Sequence, residues 1–155
     1  MPLTPEEIEE IEHEIAIVPH KASACIEAMK AVQRRRGWVS DEALKDIAAY
    51  LEMSPEDLEG VATFYNLIFR RPVGRHVIFV CDSVSCWILG VDRVRERLTH
   101  KLGIQFGETT ADGRFTMLPI QCLGTCDRAP ALMIDNDLHR DLKPEQVDVM
   151  LDGYE

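Results

Sequence analysis

The sequence lacks both a long apolar run and a basic leader. No stretch of its 155 residues approaches the roughly 20 apolar residues of a membrane-spanning helix. The first residues, MPLTPEEIEEIEHE, are acidic, without the basic start and apolar middle of a signal peptide. These absences predict a cytoplasmic protein with no direct membrane insertion. Hydrophobic residues make up 46% of the chain, which is enough for a packed core and argues against disorder.

An excess of positive charge is also missing. The formal net charge is -10, which argues against binding to nucleic acid. The only basic run, Arg34 to Arg36, precedes Gly37, and we interpret it as the end of a helix, where cations complement the helix dipole. The sequence contains no G-x-G-x-x-G motif and no P-loop, so nothing in it predicts a site for NADH, flavin or nucleotide.

The five cysteines include no C-x-x-C pair, and their odd number does not favour a disulfide framework. Disulfides are in any case rare in the reducing cytoplasm. Four cysteines form two tight pairs, Cys81 with Cys86 in CDSVSC and Cys122 with Cys126 in CLGTC. The fifth, Cys25, falls in an apolar helical stripe, so we interpret it as a small buried core residue.

Residues 1–72 predict four short amphipathic helices, which together form a helical bundle and the first of two domains. Thr4, Ser40 and Ser54 are predicted N-caps, and Glu7 completes a capping box with Thr4. The apolar positions predicted to face the bundle core are Ile8, Ile11, Ile15, Val18, Ala22, Cys25, Ile26, Met29, Val32, Leu44, Ile47, Ala48, Leu51, Leu58, Val61, Ala62 and Tyr65.

Residues 73–155 change to an α/β pattern and form the second predicted domain. Strands are predicted at residues 76–80, 115–120, 131–134 and 138–140, and helices at 87–102 and from Pro144 onward. This order, with cysteines at strand ends, is typical of a small thioredoxin-like sheet. The predicted fold class is therefore α+β or α/β, with an N-terminal helical bundle followed by a thioredoxin-like domain.

The cysteine pairs follow two predicted strands, and strand ends are where α/β folds assemble their sites. We therefore expect the two loops to bring all four sulfurs together. The C-x4-C and C-x3-C spacings are compatible with structural zinc and with a [2Fe–2S] cluster, whereas a redox dithiol normally uses C-x-x-C. The spacing favours iron–sulfur and leaves zinc open.

Several longer segments resemble one family. GVATFYNLIFRRPVGRHVI running into CDSVSC, followed by CLGTCDRAPALMID, is similar to the small thioredoxin-like [2Fe–2S] subunits of NADH:quinone oxidoreductase, respiratory complex I. The likeness extends from about Thr4 to the C-terminus and includes GWVSDEAL and DGRFTMLP. The resemblance implies a [2Fe–2S] ferredoxin domain whose cluster ligands are Cys81, Cys86, Cys122 and Cys126.

The resemblance also implies partners. It predicts an electron-transfer protein without catalytic residues or a complete active site of its own, with FMN and NADH bound by a neighbouring subunit and further iron–sulfur subunits nearby. Such a chain is expected at the periphery of the inner membrane as part of a membrane-bound complex. Related subunits serve NAD-reducing hydrogenases and formate dehydrogenases. A free-standing thioredoxin-like ferredoxin and a zinc-stabilised interaction module remain as alternatives.

Several residues beside the cysteines carry secondary predictions. Asp82, Ser83, Ser85 and Thr125 are candidate donors to the sulfurs, or ordinary turn formers. Trp87 either shields the metal site or caps the core. In the helical domain, the segment from Val61 to Phe69 either docks a partner or fills space, because aromatic residues are enriched in both settings.

Overall fold

A computed structural model describes residues 2–155. Within this range the contacts divide the chain into two compact units, the first ending at Pro72 and the second covering Val73–Glu155. Each unit has its own cluster of buried apolar side chains.

The first unit is built from four α-helices. They are α1 (Pro5–Ile15), α2 (Cys25–Arg36), α3 (Asp41–Tyr50) and α4 (Pro55–Phe64), with a 3-10 turn at Lys21–Ala24 before α2. The predicted caps are confirmed. The side chains of Thr4, Ser40 and Ser54 each accept a bond from a backbone N–H of the following turn, and the Glu7 carboxylate accepts one from the N–H of Thr4. Removing such a cap typically costs about 1 kcal/mol.

The basic run at the end of α2 is used within the helical unit. Arg36 donates two hydrogen bonds, of 2.7 and 2.6 Å, to the Glu7 carboxylate, which is 0% exposed. Arg34 and Arg35 both pair with Glu10. Gly37 ends α2 with a φ of +81°, a left-handed conformation that suits glycine. The interpretation of Arg34–Arg36 as a helix end is therefore confirmed.

Three details of the helical unit differ from the prediction. Ala22, predicted to face the bundle core, is exposed, because it lies in the 3-10 turn that precedes α2. Helix α1 ends at Ile15, one turn before the predicted stop at Pro19. Tyr65, predicted on the buried face, terminates α4 in an extended conformation and is 43% exposed, and its neighbours Phe64 and Leu67 are 78% and 49% exposed. The apolar period of α4 ends with Ala62 because the chain leaves the helix two residues later. Cys25 is half-buried and packs against the core, as predicted.

The second unit contains a four-stranded sheet. Its strands are β1 (His76–Cys81), β2 (Phe115–Ile120), β3 (Leu132–Ile134) and β4 (Asp137–His139), in the spatial order β2-β1-β3-β4. Strand β1 is parallel to β2 and antiparallel to β3, and β3 and β4 are antiparallel neighbours. Strand β3 begins one residue later than predicted, and β4 begins and ends one residue earlier than predicted. Asp135, with a φ of +53°, lies in the turn that joins them.

Three α-helices accompany the sheet, α5 (Val84–Ile88), α6 (Val91–Leu102) and α7 (Val147–Asp152). The single helix predicted for residues 87–102 is wrong, because Gly90 adopts a φ of +94° and separates α5 from α6. The apolar positions of α6 and α7, including Val94, Leu98, Val147 and Leu151, are buried as predicted. No helix within residues 2–155 has the length and apolar character needed to cross a membrane.

His76 at the start of β1 ties together the sheet and the chain end. Its Nδ1 lies 2.7 Å from Oδ2 of Asp135 and its Nε2 lies 3.0 Å from the backbone oxygen of Glu155. The hydrogen bond to Asp135 and the bond to the Glu155 carbonyl raise the pKa of His76, against the opposing effect of burial and of Arg75. Because the pKa is raised in the folded chain, protonated His76 stabilises the fold fully below its unfolded pKa of about 6.5. This stabilisation is lost as the pH rises through the folded pKa.

We expect His76→Gln to lower the free energy of unfolding most below about pH 6.5, with a smaller effect at alkaline pH. Denaturant unfolding of the full chain at several pH values measures this difference. His100→Gln, which changes an exposed histidine of α6, is the control. An equal pH dependence in both variants would contradict the role assigned to His76.

Candidate metal centre

The parallel pairing of β1 with β2 fixes where the two cysteine loops begin. Cys81 is the last residue of β1 and stands opposite Ile120, the last residue of β2. The N–H of Asp82 then bonds to the carbonyl of Ile120, 3.0 Å away. Cys122 follows Ile120 after one residue, so the first cysteine of each pair leaves the same edge of the sheet.

The second cysteine of each pair folds back toward the first. Cys86 lies in α5 and is 3% exposed, while Cys126 begins a short 3-10 helix, Cys126–Arg128. The backbone of Ala131, the residue just before β3, contacts the first cysteine pair. Its carbonyl accepts from the N–H of Cys81 at 3.3 Å, and its backbone also hydrogen-bonds the Cys86 thiol.

These elements bring all four predicted cysteines together. The sulfurs of Cys122 and Cys126 are 3.2 Å apart, and Cys81 is close enough to Cys86 to raise the pKa of the Cys86 thiol. Cys126 also lies close enough to interact electrostatically with Cys81 and Cys86. The arrangement is thus two close pairs that face each other, and all four cysteines are free thiols.

The two pairs differ in exposure and in acidity. Cys81 and Cys86 are buried, whereas Cys122 and Cys126 are exposed. Burial, followed by the proximity of Cys81, raises the pKa of Cys86 to about 11. By contrast, the N–H of Gly124, which donates to Sγ of Cys122 at 3.3 Å, lowers the pKa of that thiol. Its hydrogen bond with Cys122 raises the pKa of Cys126.

Only some of the residues suggested as donors are directed at sulfur. The Ser85 hydroxyl is close enough to Cys126 to act toward a lower pKa of that thiol, and the Gly124 N–H is oriented by a φ of +76°, which favours glycine at that position. The N–H of Asp82 is used by Ile120 instead, and Ser83 accepts a helical bond from Trp87. Ala131 had no signal in the sequence, because its contacts come from its backbone.

Trp87 does not cap the core. Its side chain is 62% exposed and borders a cavity of about 90 Å³ that Cys81, Asp82 and Phe106 also line. Trp87 therefore stands at the surface beside the cysteine cluster, which favours the shielding interpretation over the core one.

The donor set at this edge of the sheet consists of two pairs of cysteine thiols. Two pairs of thiols suit two metal centres, each bound by one pair. Sulfur-only donors are also typical of iron–sulfur clusters and of zinc rather than of hard cations. The chain's own residues therefore fit a [2Fe–2S] cluster.

Comparison with known proteins points the same way. Residues 11–155 match the thioredoxin-like [2Fe-2S] ferredoxin family. The E subunit of the NADH-quinone oxidoreductase of Pseudomonas aeruginosa is 54% identical over 144 residues, covering 93% of this chain and 87% of that protein. The corresponding E subunit of Escherichia coli K12 is 51% identical over 152 residues, covering 98% and 92%.

A solved structure extends the comparison to the fold. The NAD+-reducing [NiFe]-hydrogenase in its air-oxidized state matches 80% of this chain with a TM-score of 0.67 and 27% identity. The chain corresponds to only 22% of that hydrogenase chain.

We expect the exposed pair of thiols to react before the buried pair. In the reduced, metal-free full chain, iodoacetamide should label Cys122 first and Cys86 last, because burial blocks access to Cys86 and raises its pKa to about 11. Peptide mass spectrometry over time measures the order. The same reaction in denaturant, where all thiols are accessible, is the control, and equal rates for Cys86 and Cys122 in the folded chain would contradict the geometry.

Proposed function

Because this chain belongs to the thioredoxin-like [2Fe-2S] ferredoxin family, we propose that it carries a [2Fe–2S] cluster and relays single electrons in the NADH-oxidising part of a NADH-quinone oxidoreductase. The observation that carries the proposal is the convergence of two cysteine pairs at one sheet edge. The ligands would be Cys81, Cys86, Cys122 and Cys126, all free thiols.

The pairing of the thiols suggests how the ligands are shared. Cys81 and Cys86 would hold one iron on the buried side, and Cys122 and Cys126 the other on the exposed side. Such a cluster supplies one-electron chemistry, at a potential that depends on hydrogen bonds to the sulfurs and on solvent exposure. The Gly124 N–H and the Ser85 hydroxyl are donors already placed beside the exposed pair. Both would stabilise negative charge on the cluster sulfurs.

The chemistry of NADH oxidation requires a second protein. NADH delivers a hydride, which is two electrons, and this sequence has none of the phosphate-binding glycine motifs that position a dinucleotide. We therefore place FMN and NADH on a partner subunit, with further iron–sulfur subunits beyond it. The chain would have no complete active site of its own, and it would sit at the periphery of the membrane within the complex.

An equivalent role in a NAD-reducing hydrogenase is the second candidate. The similarity of fold to the NAD+-reducing [NiFe]-hydrogenase chain favours it, since that match has a TM-score of 0.67. The sequence identity of 27% is about half of the 51% and 54% found with the two E subunits of NADH-quinone oxidoreductase. The quinone-reducing assembly is therefore the stronger proposal, and a formate dehydrogenase has less support.

The end of α4 offers an aromatic surface for the flavin-containing partner. Phe64 is 78% exposed and contacts Tyr65 edge to face, with ring centroids 5.3 Å apart. Together with the half-exposed Leu67, these side chains expose apolar surface to solvent. Exposed apolar surface does not stabilise the fold of a monomer, and a patch of it is typical of an interaction site. The docking interpretation of the segment from Val61 to Phe69 is thus preferred over space filling at Phe64.

The cluster proposal predicts about two irons and two acid-labile sulfides per chain after anaerobic purification. The protein should be reddish-brown and should give an EPR signal on reduction. Alanine at any one of the four cysteines should remove most of the iron, because it deletes a thiolate ligand. Stoichiometric zinc without sulfide, after iron-replete expression, would contradict the proposal.

Cys25→Ala is the matched control for these variants. Cys25 packs against the helical core, so the substitution should cost on the order of 1 kcal/mol of stability and leave the iron content unchanged. Loss of iron from a folded Cys25→Ala chain would show that the ligands are wrongly assigned.

For the partner, we expect the full chain to co-purify with the flavin- and NADH-binding subunit when the two are co-expressed. Phe64→Ser should weaken this association, and Ile17→Ser, which changes a 69% exposed side chain of the same unit, should not. If the wild-type chain binds no flavoprotein, a free-standing ferredoxin becomes the better interpretation.

A further inference from the structure

The C-terminal unit has a second surface that the proposed ligands and the end of α4 do not use. Two shallow depressions, of about 500 and 430 Å³, lie on either side of the segment that leads into α7. They share Leu142 and Glu145 in their walls, so they form one continuous face. We call this face the α5–α7 face.

Apolar side chains lie in solvent at both ends of the α5–α7 face. Ile88 and Leu89 border the first depression and are 69% and 56% exposed, and Val149 borders the second and is 78% exposed. Isolated exposed apolar residues are ordinary, but exposed apolar residues that line surface depressions are typical of an interaction surface. The face also begins at α5, the helix that carries Cys86, so a protein docked there would lie beside the cysteine cluster.

The charges around the face are basic. Arg93 and Lys143 line the first depression and Arg140 lines the second. All three side chains are exposed, and none of them forms an ion pair within residues 2–155. Glu145 is the one acidic residue that lines the depressions in the described part of the chain.

Glu145 balances at most one of these cations, and three further acidic residues of this unit are paired with other cations. Asp148 pairs with Arg97 and with Lys101, and the Asp141 carboxylate pairs with Arg128. Asp92 pairs with Arg95 at 2.9 Å. Three cations without an ion pair among the described residues therefore line this face, on a chain whose formal net charge is -10.

We propose that the α5–α7 face docks an acidic surface, with apolar side chains among its carboxylates, of the protein that exchanges electrons with this chain. The proposal rests on the proposed function, which supplies the partner, and adds the surface and its charge. An acidic partner is repelled by most of this acidic chain and attracted by Arg93, Arg140 and Lys143, so the charges orient the encounter. Ile88, Leu89 and Val149 then supply the apolar contact.

The test measures binding of the full-length, cluster-loaded chain to the isolated flavin- and NADH-binding subunit of the same organism. Arg93→Glu combined with Lys143→Glu should lower the association rate on the order of tenfold at low salt, with a smaller difference at high salt. Ile88→Ser should raise the dissociation rate, because it removes apolar contact. Arg71→Glu combined with Arg75→Glu, which reverses two exposed cations that do not line the depressions, has the same change in net charge, is the matched control and should change neither rate.

The outcomes separate this proposal from the function on which it rests. If the wild-type chain binds the flavoprotein and the double charge reversal binds equally well, the α5–α7 face is not the docking surface, although the proposed function stands. If the wild-type chain keeps its iron but binds no flavoprotein, both proposals fail. Self-association of the wild-type chain that the double reversal abolishes, measured by sedimentation, would assign the face to a second copy and overturn the proposal. Iron content and visible absorbance of every variant serve to exclude loss of the cluster.

Discussion

The candidate centre depends on one pairing, that of β1 with β2. Because the strands are parallel and end in register, with Cys81 opposite Ile120, two loops distant in sequence leave the sheet at the same point. A shift of one residue would turn Cys81 to the other face of the sheet, since side chains alternate along a strand. Helix α5 and the Cys126–Arg128 turn then bring the second cysteine of each pair, Cys86 and Cys126, back toward the first.

The asymmetry of the centre follows from the same arrangement. Cys81 and Cys86 belong to the core of the second unit, whereas Cys122 and Cys126 lie on a loop at the surface. A bound cluster would therefore have one side in an apolar environment and one side near solvent and backbone donors. This geometry would give a partner protein access to a bound cluster without a passage through the core.

Much of the fold could be predicted because local signals determine it. The helix starts were predicted from the N-cap residues Thr4, Ser40 and Ser54. The end of α2 was predicted from Gly37, which adopts a left-handed conformation. The break at Gly90 was missed because its flanking residues continue an apolar helical period, and an isolated glycine is compatible with a helix interior. The backbone contact of Ala131 with Cys81 and the difference in exposure between the two thiol pairs arise from tertiary packing, which no local sequence pattern encodes. The sequence also carried no sign that one face has cations without ion pairs among the described residues, namely Arg93, Arg140 and Lys143. Whether a cation is paired depends on which acidic residues the fold places near it.

The proposed electron carrier requires two irons held by two pairs of cysteines. Anomalous diffraction at the iron edge, from crystals of the anaerobically purified full chain, would locate them. We expect iron density that extends from Cys81 and Cys86 to Cys122 and Cys126 and that separates into two peaks at high resolution. A metal peak that appears at the zinc edge but not at the iron edge, or iron beside Cys25, would contradict this assignment.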